Sequence, residues 1–413
     1  MSTGGAPSGR AGRRRAVHPG DRGGPRVERE GPIWRIRSLE VARQILRARD
    51  ATTQAGFTAE QIPRGVFRRH PILISDGELH DGQRRELARF FAPAVVSTRY
   101  RALMAERADA MVAESLGSGR CRVDEVALHF AVAVTAEVVG LTSSPVPAMS
   151  RRLVAFFRQP PFDLTAPRLG RTLRQRASAA FRGLLPVLRF HLADVRPAIR
   201  AHRRTPRQDV IGHLLESGSS SADVLVECVT YGTAGMVTTR EFITMACWHL
   251  LEDQALRSRY LAAGEAERLA ILEEVLRLEP VVGDLYRRVQ HDLTVREGEE
   301  EHHLSPGDLV DIDVRRSNTD PVAVGPHPLD LCPHRDLPRG IADSALAFGD
   351  GAHRCPGRPL ALLEADALLT RLLAHEPALT TRPRVEWDDL TSGYRVRGLV
   401  LDFEHRPAEA DGR

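Results

Sequence analysis

Five cysteines are spread over the 413 residues: Cys121, Cys228, Cys247, Cys332 and Cys355. Only the last stands where a thiol has chemistry to do. It lies in Phe348-Gly349-Asp350-Gly351-Ala352-His353-Arg354-Cys355-Pro356-Gly357. Two glycines at a spacing of two permit a tight, bulged turn with backbone amides pointing inward. Pro359 marks the first turn of a helix expected over about 357–375. A thiol just ahead of a helix N-terminus meets the positive dipole end and unpaired N–H donors, which favour the thiolate. A thiolate cradled by amides is a competent iron ligand whose hydrogen bonds tune the metal. Two other readings compete: a buried structural cysteine, and a zinc site from Cys332, His334, His353 and Cys355. The zinc pairs have one intervening residue each, tighter than usual zinc knuckles.

Three more groups have spacings with chemical meaning. Glu274 and Arg277 share one face of an apolar-periodic helix. Taken alone, such a pair is a surface salt bridge worth under about 1 kcal/mol. His80 and Arg84, in Asp76-x-x-x-His80-x-x-x-Arg84, place two cations on one helical face. A long helix starts at Ser220 or Ser221, with Asp223 as a capping partner, and continues to about Glu252. At 1.5 Å per residue it spans roughly 45 Å. Its middle reads Ala234-Gly235-Met236-Val237-Thr238-Thr239, with small residues that allow close approach and local widening.

The surrounding elements are mostly helical. Residues 1–30 are poor in apolar side chains and are expected to be a disordered Arg/Gly-rich tail, with one domain over 31–413. Ile33–Ile36 reads as a short strand and Leu39–Leu46 as a helix, followed by an irregular stretch from Thr52 to Ser75. Helices dominate from Asp81 to Leu278. Strand-like alternation appears in Leu285–Val295 and Leu309–Val314, separated by a turn at Ser305–Asp308. A Pro-, Asp- and His-rich meander covers Ser317–Ile341. The expected class is mainly α with small β-sheets.

Composition narrows the function classes. All 58 basic residues are arginine, against 54 acidic ones, and the net charge of +4 is mild for this length. Aromatics make up 5%, and the only dense cationic block, Arg10 to Arg15, lies in the tail, so nucleic acid is not an expected partner. The longest apolar run, Val126–Leu141, is broken by His129 and Glu137, which excludes a membrane-spanning helix there. An odd, sparse cysteine set and no apolar leader suggest a reduced, cytoplasmic protein.

The cysteine segment resembles the haem-thiolate loop of the cytochrome P450 superfamily, Phe-Gly-x-Gly-x-His-x-Cys-x-Gly, at every fixed position. The resemblance covers roughly residues 31–405. It implies the triangular haem-binding fold of that superfamily, haem b held through Cys355, and Phe348, Gly349, His353 and Gly357 as part of the cofactor site. It also implies a buried Glu274–Arg277 pair completed by Arg335 from the meander. His80, Arg84, His353 and Arg287 or Arg288 would neutralise the haem propionates, the spacing to Asp292 favouring Arg287. Thr238, beside Ala234 and Gly235, aligns with the alcohol that the family uses in oxygen activation. Val281, Val282, Asp284 and Tyr394 fall where the family lines its substrate pocket, and Tyr231 and Met236 are further candidates.

Val237 departs from the family pattern, which has an acid there. Glu241, one turn on and on the same helical face, is a candidate substitute acting through water, but a surface position is the expected one. The implied activity is a soluble bacterial monooxygenase of secondary metabolism that hydroxylates or epoxidises a small organic molecule. It would be a monomer without nucleic-acid or membrane partners, taking electrons from NAD(P)H through a ferredoxin and its reductase. Arg354 and Arg358 would offer the ferredoxin a basic docking patch. The alternatives are oxidative C–C or C–N coupling without oxygen insertion, which the missing acid suggests, and a non-catalytic haem binder.

Overall fold

A helix running from Ser221 to Glu252 passes through the middle of the molecule. The Ser220 hydroxyl accepts from the Asp223 amide at 3.2 Å, and the Asp223 carboxylate accepts from the Ser220 amide at 2.9 Å. This reciprocal cap satisfies two donors that a helix start leaves open. Gly232–Val237 winds as a π-helix between two α-helical halves, so the widening expected from Ala234-Gly235 is present. This computed structural model describes residues 14–18, 23–57, 60, 70–158 and 162–403.

Val123–Val139 is apolar almost all round and is buried accordingly, packed along the second half of the central helix. The last long helix, Arg358–Leu373, packs on Arg101–Gly117 and Glu265–Leu278. It buries Leu360, Leu368, Leu369 and Leu372 at the three-to-four spacing that faces a core. These helices fix the segment that follows the cysteine loop.

The main sheet has the strand order Val27–Glu30, Ile33–Ile36, Leu309–Asp313, Asp284–Val289, Thr52–Gln54. Ile33–Ile36 runs parallel to Leu309–Asp313, and the other pairs are antiparallel. Register places Arg287 opposite Gln54 on one side and Val310 on the other. The run expected as a strand over 285–295 is two elements. After Val289 the chain forms a hairpin, Leu293–Glu297 with Glu300–Leu304, turning at Gly298 with φ +59°.

The tail expectation requires correction within its described part. Val27–Glu30 pairs with Ile33–Ile36, the Arg14 Nε donates to the Leu278 carbonyl at 2.8 Å, and Ala16 is fully buried. Long-range partners order a segment whose own composition favours disorder. In the stretch expected to be irregular, Thr52–Gln54 is an edge strand, whereas residues 58, 59 and 61–69 lie outside the described residues. Among the described residues no helix is long and apolar enough to cross a membrane.

Candidate active site

The cysteine loop is held open by glycine conformations that other residues resist. Gly349 and Gly351 have φ of +69° and +67°. A Cβ on Gly351 would also stand 2.1 Å from the Leu46 carbonyl oxygen. Between them Asp350 accepts from the Gly351 amide at 2.7 Å and pairs with Arg43 at 2.8 Å and Arg47 at 3.1 Å, both on the helix Leu39–Arg47. The Cys355 amide donates to the Phe348 carbonyl at 2.8 Å and closes the loop. Gly351→Ala combines left-handed strain with a backbone collision. Its expected outcome is folded protein with low haem occupancy, read from the Soret-to-protein absorbance ratio.

The Cys355 sulfur faces a cavity of about 1100 Å³. Burial pushes the thiol pKa up, while amides of Gly357 and Arg358 and the Arg84 guanidinium pull it down without prevailing. The amides at the helix start thus favour the thiolate, as the sequence suggested, against the opposing effect of burial. A metal cation bound at sulfur would favour the thiolate further, since a coordinating thiol is deprotonated. Gly357 lies beside the sulfur, where a Cβ would sit 3.7 Å from Sγ, an ordinary van der Waals contact.

The central helix lines the same cavity with Ala234, Gly235 and Thr238. The Thr238 hydroxyl donates to the Ala234 carbonyl, and that of Thr239 to Gly235 at 2.6 Å. The bond of Thr238 is the ordinary back-bond of a helical threonine, and it leaves the hydroxyl oxygen free to accept on the cavity side. Val237 is buried and outside the lining. Glu241 is not a surface group: it is buried, accepts from the Val396 amide at 2.9 Å, and pairs with Arg397 at 2.8 Å and Arg240 at 2.6 Å. Those bonds occupy the carboxylate away from the cavity.

A cluster of basic groups lines one side of the cavity. His80 and His353 stack with ring centroids 4.1 Å apart, and Arg84 and Arg287 join them in the lining. His353 bonds Asp76 at 3.0 Å, and the Gln54 side chain accepts from Arg287. Asp76 also takes the Gln54 amide at 3.0 Å. Gln54 had no local sequence signal, because the strand register alone brings it to Arg287. Arg288, one residue on, projects the other way and pairs with Glu60 at 2.8 Å.

Burial, then His353 and Arg84, push the His80 imidazolium down to about 4, and burial pushes Arg287 down to about 10. Basic groups whose charged forms are disfavoured chiefly by burial, with Asp76 as the acid among them, suit an anionic ligand that reverses these shifts. The two carboxylates of a haem answer that description, so the residues fit the group. His80, Arg84, Arg287 and His353 would hold its propionates and Cys355 its iron.

Val281 and Val282 line the cavity, as do Leu390, Thr391 and Tyr231. Asp284 and Tyr394 do not, which corrects their expected substrate role. Asp284 pairs opposite Asp313 in the sheet, and burial and the nearby Asp311 and Asp313 raise its pKa far above the usual range. Tyr394 is a core residue whose hydroxyl donates to the Glu279 carbonyl at 3.0 Å. Met236 is likewise fully buried outside the lining.

Behind the loop, Arg277 is fully buried and grips both Glu274 oxygens at 2.7 Å. It also donates to carbonyls of Asn318, Pro328 and Asp330. Arg335 approaches Glu274 at 3.5 Å, and the Cys332 amide donates to Glu274 at 2.9 Å. The surface-pair reading is excluded by this burial. The zinc set does not assemble: His334 is exposed and bonded to Glu267, Cys332 is exposed, and His353 is stacked on His80.

Residues 269–376, which carry the Glu274–Arg277 pair, the meander and the cysteine loop, match the family model Cytochrome P450. The chain belongs to the cytochrome P450 superfamily. It is 28% identical over 346 residues to the cyclomarin C epoxidase CymV of Salinispora arenicola, covering 79% of this chain and 80% of that one. A 30% match to YjiB of Bacillus subtilis covers 43% of this chain and spans under half, 44%, of that protein. Among solved structures, CalO2 superposes with a TM-score of 0.74 at 20% identity, covering 91% of this chain and 92% of that one. That likeness concerns the cytochrome P450 fold alone. The superfamily's cofactor is haem iron, in agreement with the fit of the cavity.

Proposed function

We propose that this cytochrome P450 is a monooxygenase. It uses O₂, two electrons and two protons to insert one oxygen atom into a small organic molecule, by hydroxylation or epoxidation, and releases the other as water. The observation that carries this reading is that Cys355 and Thr238 both line one large, mainly apolar cavity. Haem supplies oxygen activation when bound, with its thiolate ligand favouring O–O cleavage. Arg84, Arg287, His80 and His353 anchor and orient it. Likeness to an epoxidase supports oxygen insertion.

Thr238 holds the proton at Oγ1. With Val237 inert and Glu241 locked by arginines, protons reach that hydroxyl through ordered water or a polar group of the substrate. Thr238→Ala is therefore expected to divert electrons to hydrogen peroxide. Each tenfold loss in coupled rate corresponds to about 1.4 kcal/mol of barrier lowering. The measurement is peroxide formed per NAD(P)H consumed, and unchanged coupling would reduce Thr238 to a helix-packing residue.

The missing acid also favours a second reading, in which substrate radicals couple or cyclise and no oxygen enters the product. Isotopically labelled O₂ separates the two: label in the product supports insertion, and unlabelled dimer or ring supports coupling. Electrons come from NAD(P)H through a ferredoxin and its reductase in the cytoplasm. Arg354 is exposed beside Cys355 and suits an acidic donor, whereas Arg358 is engaged by Glu273.

A further inference from the structure

Among the described residues, four arginines and a single carboxylate, Asp350, line the cavity. Asp350 is committed to Arg43 and Arg47. Arg84 and Arg287 belong to the cluster around His80 and His353. That leaves Arg171 and Arg176, which the family resemblance did not assign and which the cofactor does not need. They stand at the start of the helix Leu173–Phe190, whose inward stripe Arg176, Ala179, Ala180, Gly183 and Val187 follows the three-to-four spacing of one helical face.

The two side chains are set in a cationic stretch. From Leu164 to Ala193 the sequence has six arginines and no acid. The Arg171 guanidinium lies 4.8 Å from the centre of the Phe162 ring, and Asp389 acts on it from outside the lining. Arg176 is exposed and its side chain, among the described residues, has no hydrogen-bond or ion-pair partner. The cavity lining also includes the apolar Phe156, Phe157, Phe162 and Leu169.

Resting on the monooxygenase reading, we propose that the substrate is an amphiphilic organic anion. Its apolar body occupies the aromatic and aliphatic wall, and its carboxylate or phosphate is held by Arg171 and Arg176. A guanidinium pairs with such groups through charge-assisted, often bidentate hydrogen bonds, and two in the lining of an apolar cavity set the orientation of a long molecule. They also disfavour cationic molecules of the same shape. Arg171 and Arg176 are thus specificity determinants outside the cofactor cluster.

The test uses holoenzyme and ω-(imidazol-1-yl)alkanoic acids of graded chain length, each paired with the alcohol of equal length. Imidazole nitrogen ligates haem iron and red-shifts the Soret band, so both members of a pair report binding. At low salt at least one acid is expected to bind about tenfold more tightly than its alcohol, equivalent to about 1.4 kcal/mol. That ratio is expected to fall to near one in Arg171→Gln/Arg176→Gln. Equal affinities across the whole series, or an acid preference that survives in the double variant, would overturn the proposal while leaving the haem site intact. Absence of a red shift with every acid and alcohol would overturn the haem-thiolate reading and this proposal with it.

Discussion

Cys355→Ser is expected to abolish the red-shifted Soret band that marks CO bound opposite a thiolate in the reduced protein. The effect is complete because the band depends on sulfur ligation. Serine fits the same loop, so its amide can still donate to Phe348 and the fold can persist. Cys121, Cys228 and Cys247 are buried elsewhere, and Cys332 lies in the meander. Serine or alanine at those four positions leaves the spectrum unchanged. Retention of the band in Cys355→Ser would refute the ligand assignment and, with it, the monooxygenase reading.

Glu274→Ala is expected to yield haem-free or insoluble protein. Removing the carboxylate strands Arg277, fully buried, and Arg335, nearly so, without their shared anion. Breaking a buried pair by deleting one partner costs about 3–5 kcal/mol, a large share of the roughly 5–15 kcal/mol that stabilises a domain. The Cys332 amide loses its acceptor in the same step, which loosens the meander. Haem content and the urea midpoint of soluble material measure the effect. A stable, fully loaded Glu274→Ala protein would show that the backbone carbonyls around Arg277 suffice to hold it.

What could be read from the chain alone was chemistry confined to short stretches. The loop ending at Cys355 needs two left-handed glycines, a proline in the next helix and a cysteine between them, all within about a dozen residues. The start at Ser220 and the widened turn at Ala234-Gly235 are equally local, since capping and helix width depend on neighbours a turn away. Glu274 and Arg277 announced a pair at helical spacing, and the resemblance supplied its third member.

Only the tertiary structure decided which way side chains face and what they meet. Strand residues alternate sides, so the choice between Arg287 and Arg288 rests on which face the cavity covers, and that is set by pairing with Thr52–Gln54, more than two hundred residues earlier. Asp284 turned away from the substrate region for the same reason of strand parity. Glu241 is buried because Arg397, 156 residues later, folds back over it. Arg14 and Ala16 are ordered by Leu278 and Glu279, from a segment whose composition predicted none of it. A short stretch encodes its own hydrogen bonds and permitted φ; burial and charge environment are properties of the neighbours that folding brings to it.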